Sequence, residues 1–176
     1  MKLFRRTPRV PSAHRPALDP GERVLAWAFA DPGDRVVVAT NRGLWRPGHA
    51  DRLGWHDVHK AVWSGRELTI TPAQRVIERE AYVVVADAPA ESFLLLDPGD
   101  VPEQVRARVT RSVAYTSHHA LDQGGVRVVA RRVPGVDGLT WTARYDPGTP
   151  TDDPGVVERI DALVATARSA TTSAPI

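Results

Sequence analysis

The spacing of hydrophobic and polar positions along this chain changes once, near residue 100. Before that point the pattern is β. Glu22–Ala30 is a strongly apolar run with Leu25, Trp27 and Phe29 on one face, which predicts a strand with Trp27 as core. Asp31-Pro32-Gly33-Asp34 reads as a turn, since proline pre-sets φ and glycine accepts a positive φ. Arg35–Thr40 then pairs back as a hairpin partner, and Asn41-Arg42-Gly43 turns the chain into Leu44-Trp45-Arg46. Leu53–His59 alternates, with Leu53 and Trp55 on one side and His56 and Val58 on the other. Ala61-Val62-Trp63, Glu67–Thr71, Val76–Ala86 and Ser92–Leu96 bring the total to about seven short strands, the pattern of a small meander closing on itself.

Beyond residue 100 helical spacing appears. Asp100-Val101-Pro102-Glu103 carries the signals of a helix start: an N-cap acid, a first-turn proline and a glutamate three residues on. Val101, Val105, Val109 and Val113 form its apolar stripe, and the helix is expected to end between Ser117 and Asp122, with Gly124-Gly125 as its C-cap. Val126–Val133 and Leu139–Asp146 predict a hairpin whose second strand turns Leu139, Trp141, Ala143 and Tyr145 inward. Asp152-Asp153-Pro154 caps a last helix striped by Val156, Val157, Ile160, Leu163, Val164 and Ala167. The expected fold class is therefore α+β, mainly β: a barrel of about seven antiparallel strands with a C-terminal helix, followed by a β-hairpin and a second helix. The expected divisions are a disordered basic arm at 1–17, the barrel and helix at 18–121, a ββα extension at 122–169 and a frayed tail at 170–176.

Composition narrows the chemistry. A chain of 176 residues with 42% hydrophobic side chains buries a core of its own. With no cysteine, disulfides, thiolate nucleophiles, iron–sulfur clusters and thiolate zinc sites are excluded. The basic residues are 21 Arg and 2 Lys, a bias that fits a GC-rich genome more than a binding task. Their layout is uneven: residues 1–17 hold 5 cations and no acid, 18–100 hold 9 basic and 13 acidic side chains, and 101–132 hold 6 and 2. The net charge of +2 thus describes no globally basic nucleic-acid binder. No run approaches the ~18 apolar residues of a membrane span. No apolar stretch of signal-peptide type follows the N-terminal cations, so cytoplasmic residence is expected.

Three short motifs carry a resemblance. Leu18-Asp19-Pro20-Gly21-Glu22-Arg23-Val24-Leu25 is similar to the opening of bacterial pleckstrin-homology-like (PH/GRAM-like) domains. Thr40-Asn41-Arg42-Gly43-Leu44-Trp45 resembles their T-[DN]-R-x-L β-turn, and Leu53-Gly54-Trp55-His56-Asp57-Val58 their later I-P-W-x-D-I strand. The likeness spans roughly residues 18–120, and the whole chain resembles a family of actinobacterial proteins of this length. It implies a PH-like barrel used as a scaffold for docking proteins, peptides or lipid headgroups, without catalysis.

The candidate chemistry is sparse. His56 and His59 fall on opposite faces of a strand, and adjacent His118 and His119 point about 100° apart on a helix, so neither pair predicts a metal site. Glu78 and Glu80 alternate onto one strand face as solvated acids, and no Gly-x-Ser-x-Gly elbow or phosphate loop is present. No cofactor is called for. Asp31 and Asp34 in the first hairpin turn would repel a phosphoinositide. The N-terminal arm, Lys2, Leu3, Phe4, Arg5, Arg6 and Arg9, suits weak contact with an anionic membrane surface or a partner. Arg127 and Arg131 share a strand face that Arg144 joins from the partner strand, with Arg106 and Arg111 on the helix, which makes a stripe suited to anions or nucleic acid. The expected functions, in order, are a module docking a protein partner, a nucleic-acid or anionic-surface binder, and an enzyme of unknown class.

Overall fold

The computed structural model describes residues 9–172. Its elements are β1 (Val24–Ala30), β2 (Arg35–Thr40), β3 (Gly43–Trp45), β4 (Leu53–Gly54), β5 (Val58–Trp63), β6 (Glu67–Glu78), β7 (Val83–Asp87), β8 (Glu91–Leu94), α1 (Val101–Ser112), β9 (Val113–Ala120), β10 (Gly125–Arg131), β11 (Thr140–Tyr145) and α2 (Pro154–Thr172). The chain is mainly β, and it divides into two compact units. The first holds the residues through Pro72 together with Pro89–Thr110; the second holds Ala73–Ala88 and the residues from Arg111 onward. The boundary expected at 121/122 falls inside the second unit. Among the described residues no helix is long and apolar enough to cross a membrane.

In the first unit β1-β2-β3-β4 form an antiparallel sheet, and β5 and β8 each pair with β6. Its core gathers Leu44, Trp55, Val58, Leu68, Ile70, Phe93 and Leu95, with Val101 and Val105 of α1. The inward face of β1 is Ala26, Ala28 and Ala30, all buried. Trp27 and Phe29 therefore lie on the opposite face, which corrects the expectation of Trp27 as core. The interior volume is filled from other segments, by Trp55, Leu44 and Phe93, and the inward positions of β1 carry only methyl groups. The expected strand Leu53–His59 is also interrupted: Trp55–Asp57 make a 3-10 turn that drops the Trp55 ring into the core, where Nε1 donates to the Thr40 carbonyl at 3.0 Å.

In the second unit residues 73–78 of β6 pair with β7, and the order continues β7-β11-β10-β9. The β7–β11 pairing is parallel and the rest antiparallel. α2 lays Ile160, Val164 and Ala167 among Val126, Val128, Ala130, Trp141 and Ala143. Asp153 caps it, accepting from the Val156 N–H at 3.0 Å. The first helix is shorter than its apolar stripe predicts: it stops at Ser112, and Val113–Ala120 is a strand. A full antiparallel ladder from Val113 to Ala120 against β10 outweighs another two helical turns, helped by β-branched and aromatic residues at 113, 115 and 116. Gly124 and Gly125 accordingly serve the β9–β10 hairpin and no helix cap, with Gly124 at φ 76° where Thr149 packs against it. Glu78 ends β6 and pairs with Arg75, so Glu78 and Glu80 do not share a strand face.

Candidate functional site: two outward sheet faces

Two of the three motifs that suggested a PH-like domain converge on one carboxylate, and Arg52, just before the third, joins them. Glu22, whose side chain is fully buried, accepts hydrogen bonds from Thr40 Oγ1 (2.6 Å), Trp45 Nε1 (3.1 Å), the Asp19 N–H (3.1 Å) and Arg52 Nη1 (2.6 Å). Burial pushes its pKa up, but the hydrogen bonds from Thr40, Asp19 and Trp45 and the Arg52 charge together outweigh that and hold the carboxyl below the usual value. Asn41 closes the same corner, accepting from the Arg23 N–H at 2.7 Å and donating to the Gly21 carbonyl at 3.2 Å. Gly43 is required beside it, since a side chain there would run into the Leu53 carbonyl. These residues are accounted for by holding β1, β3 and β4 together.

Trp45, fixed through its indole N–H, presents its ring to the outward face of the same sheet. Register places it opposite Val38, which lies opposite Trp27, while Phe29 lies opposite Val36. Directly opposed residues share a face, so these five form an apolar layer outside the core. Val38 is 1% exposed there, although it belongs to no part of the interior cluster. The segment 14–17 covers part of the layer: the His14 ring meets the edge of Phe29 at 6.0 Å, and Phe29 in turn packs T-shaped on Trp27 at 5.3 Å. Between this segment and the sheet lies a cavity of about 300 Å³, with Val36, Val38 and Trp45 from the sheet, Pro16 and Ala17 from the segment, and Pro47 and Ala50 beyond β3.

Charged groups ring this cavity. The Arg46 side chain is only 7% exposed and is paired with Glu91, which also meets His49 Nε2 at 2.9 Å. Arg46 Nε has no acceptor. Asp34 and Arg35 lie at the β1–β2 end, and Arg35 has no ion-pair partner among the described residues. Sequence reasoning missed this site because its signal, an Arg-Pro-Gly-His run after a tryptophan, reads as an ordinary loop.

The second outward face belongs to β9, β10 and β11. Arg127 is exposed and lies directly opposite Arg144 on one side and His118 on the other. Arg144 Nη2 meets Asp87 at 2.9 Å, and His118 Nε2 meets Asp146 at 2.6 Å. The predicted stripe is thereby corrected at one position: Arg131 is 8% exposed, and its Nη1 donates to Ser112 Oγ at 2.7 Å, so it ties the end of α1 to β10. Arg106 and Arg111 are exposed. Of the predicted arm, Arg9 is exposed, and Lys2, Leu3, Phe4, Arg5 and Arg6 lie outside the described residues.

The histidines are placed apart. His118 and His119 sit on opposite faces of a strand and not on a helix; His119 Nε2 is 2.7 Å from Ser117 Oγ, which accepts from Tyr115 OH at 3.0 Å. No carboxylate orients His119 among the described residues, and the three side chains form a hydrogen-bonded ladder on the edge strand. His56 Nε2 meets Asp57 at 3.1 Å. Among the described residues no group of three or more His, Asp or Glu is arranged to hold a metal ion. In the second unit Tyr82 OH donates to Asp161 at 2.7 Å, and burial, followed by that carboxylate, raises the Tyr82 phenol well above its usual range. Burial likewise raises Tyr145.

No protein-family model matches the chain, and no curated protein or solved structure matches it.

Proposed function

We infer that this protein is a non-catalytic binding module, and that it docks a protein partner through the outward face of β1–β3. The observation that carries the reading is the 300 Å³ cavity over Val36, Val38 and Trp45. Its volume is at the lower end for a ligand site and suits one or two apolar side chains of a partner segment. Arg35, without an ion-pair partner among the described residues, complements a carboxylate beside that apolar anchor. Glu91 already neutralises Arg46, so the interior of the site favours apolar contact and the charge selectivity sits at the rim. A PH/GRAM-like ancestry for the first unit is part of the same proposal. It is supported by seven strands (β1–β6 and β8) preceding a helix, and by the first two quoted motifs meeting at Glu22.

The test is selection of random peptides on the full chain, followed by affinity measurement from tryptophan fluorescence. Enriched peptides should carry an apolar residue next to Asp or Glu. Their binding should weaken at least ~10-fold, or about 1.4 kcal/mol, in Ala50→Trp, which fills the cavity from an exposed position, and in Arg35→Glu. Failure to enrich any peptide, or binding unchanged in both variants, overturns the reading.

A further inference from the structure

The cationic row on the second unit calls for an anion. In an antiparallel sheet, like charges directly opposite one another are destabilising, and strands lie only about 4.7–4.9 Å apart. Arg127 has a cationic or protonatable side chain opposite it on both neighbouring strands, Arg144 on β11 and His118 on β9. Its sequence neighbours Val126 and Val128 point into the core and are fully buried, so the Arg127 guanidinium stands on the outer face. The flanking members have counter-ions: Asp87, beyond β11, meets Arg144, and Asp146 reaches over Gly125 of β10 to His118. Arg127, in the middle, has none among the described residues. Arg144 and His118 are each 42% exposed at the side chain and open to an incoming ligand.

We propose that His118, Arg127 and Arg144 form a binding site for the phosphate group of a small phosphorylated compound. An oxyanion placed over Arg127 accepts from its guanidinium and from the N–H groups of both neighbours, which relieves the repulsion along the row. A small ligand fits better than a nucleic-acid backbone on two grounds. The second unit carries nine arginines against ten carboxylates, so it has no long-range field to gather a polyanion. Arg131, which would have extended the row along β10, is buried against Ser112.

Inorganic pyrophosphate is the probe, titrated into the full chain while amide and arginine side-chain NMR signals are followed. The expected result is a saturable shift confined to β9–β11, weakened at least ~10-fold in Arg127→Gln and unchanged in Arg111→Gln, an exposed arginine outside the row. Arg127 is exposed, so its substitution leaves the fold intact, as an unchanged spectrum away from the row would verify. No saturable shift, or equal weakening in both variants, overturns the site. A single-stranded 12-mer is titrated in parallel. Binding tighter than pyrophosphate, with a steep salt dependence and weakened by Arg106→Gln as well, would overturn the small-ligand assignment in favour of a nucleic-acid surface.

Discussion

The two units each bury one sheet face in an apolar core, and their outward faces could hardly be less alike. On β1–β3 the outward face is aromatic and aliphatic, partly covered by residues 14–17, and concave enough to hold a cavity. On β9–β11 it is a row of Arg144, Arg127 and His118, with Asp87 on Arg144 and Asp146 on His118. The difference shows how alternation divides labour in a sheet. The inward period-2 positions are constrained by packing, and the outward ones are free to specify what the surface recognises. An apolar hollow suits a side chain of a partner. A cationic row suits an oxyanion.

The most direct way to break the comparison is at Glu22, because the bond to that carboxylate anchors the Trp45 ring on the outward face. Glu22→Ala removes the buried acceptor that Thr40, Trp45 and Arg52 share and should cost about 3 kcal/mol in urea unfolding followed by tryptophan fluorescence. Glu22→Gln keeps an acceptor and should cost less. The folded-state pKa of Glu22 is lowered, so its contribution is fully present above the unfolded carboxyl value and is lost as pH falls through the folded one. Wild-type stability should therefore decline in acid, and Glu22→Gln should flatten that decline. An unfolding midpoint in Glu22→Ala equal to wild type would remove Glu22 as the organiser of this face.

The next effect separates structure from recognition within the cationic face. Arg131→Gln should lose about 2 kcal/mol through the buried bond to Ser112 and leave pyrophosphate binding unchanged, the reverse of Arg127→Gln. Loss of pyrophosphate binding without loss of stability would return Arg131 to the surface stripe. Smaller again, Tyr82→Phe removes the donor to Asp161 and should cost about 1 kcal/mol. The raised phenol pKa means that this contribution is complete below the ordinary value near 10 and falls as pH rises through and beyond it. Absorbance at 295 nm should show Tyr82 and Tyr145 ionising above that value, and titration of both at about 10 would contradict their burial.

Much of this architecture can be read from the chain, and the failures have local causes. The last hairpin and α2 match their periodicity because Trp141, Ala143, Ile160 and Val164 all face one core. The helix over 101–112 begins where Asp100-Val101-Pro102-Glu103 says, but its stripe overshoots: Val113 fits period 3.6 and period 2 equally, and only the distant strand β10 decides between them. The division into units is invisible for the same reason. It depends on β7 pairing in parallel with β11, some sixty residues away, and no local pattern encodes that partner. Trp27 misleads because hydrophobicity marks a face as apolar without saying which apolar face is inward. Arg127 and Arg144 are legible as a pair once the hairpin is recognised, whereas His118 joins them only after 113–120 becomes a strand.

The smallest effect on stability sharpens the comparison most. Asp87 and Arg144 are each 42% exposed at the side chain, so their ion pair is solvent-screened and worth at most about 1 kcal/mol. Asp87→Asn should shift unfolding by about 0.5 kcal/mol or less. It also removes the carboxylate that competes for Arg144, and pyrophosphate should bind the variant more tightly than wild type. The apolar face provides the control: peptides selected on the β1–β3 cavity should bind Asp87→Asn as they bind wild type. Tighter pyrophosphate binding with unchanged peptide binding would establish two surfaces of independent chemistry. Pyrophosphate affinity that stays level once the competing acid is gone would mean that Arg144 takes no part in holding the anion, and the row would reduce to His118 and Arg127.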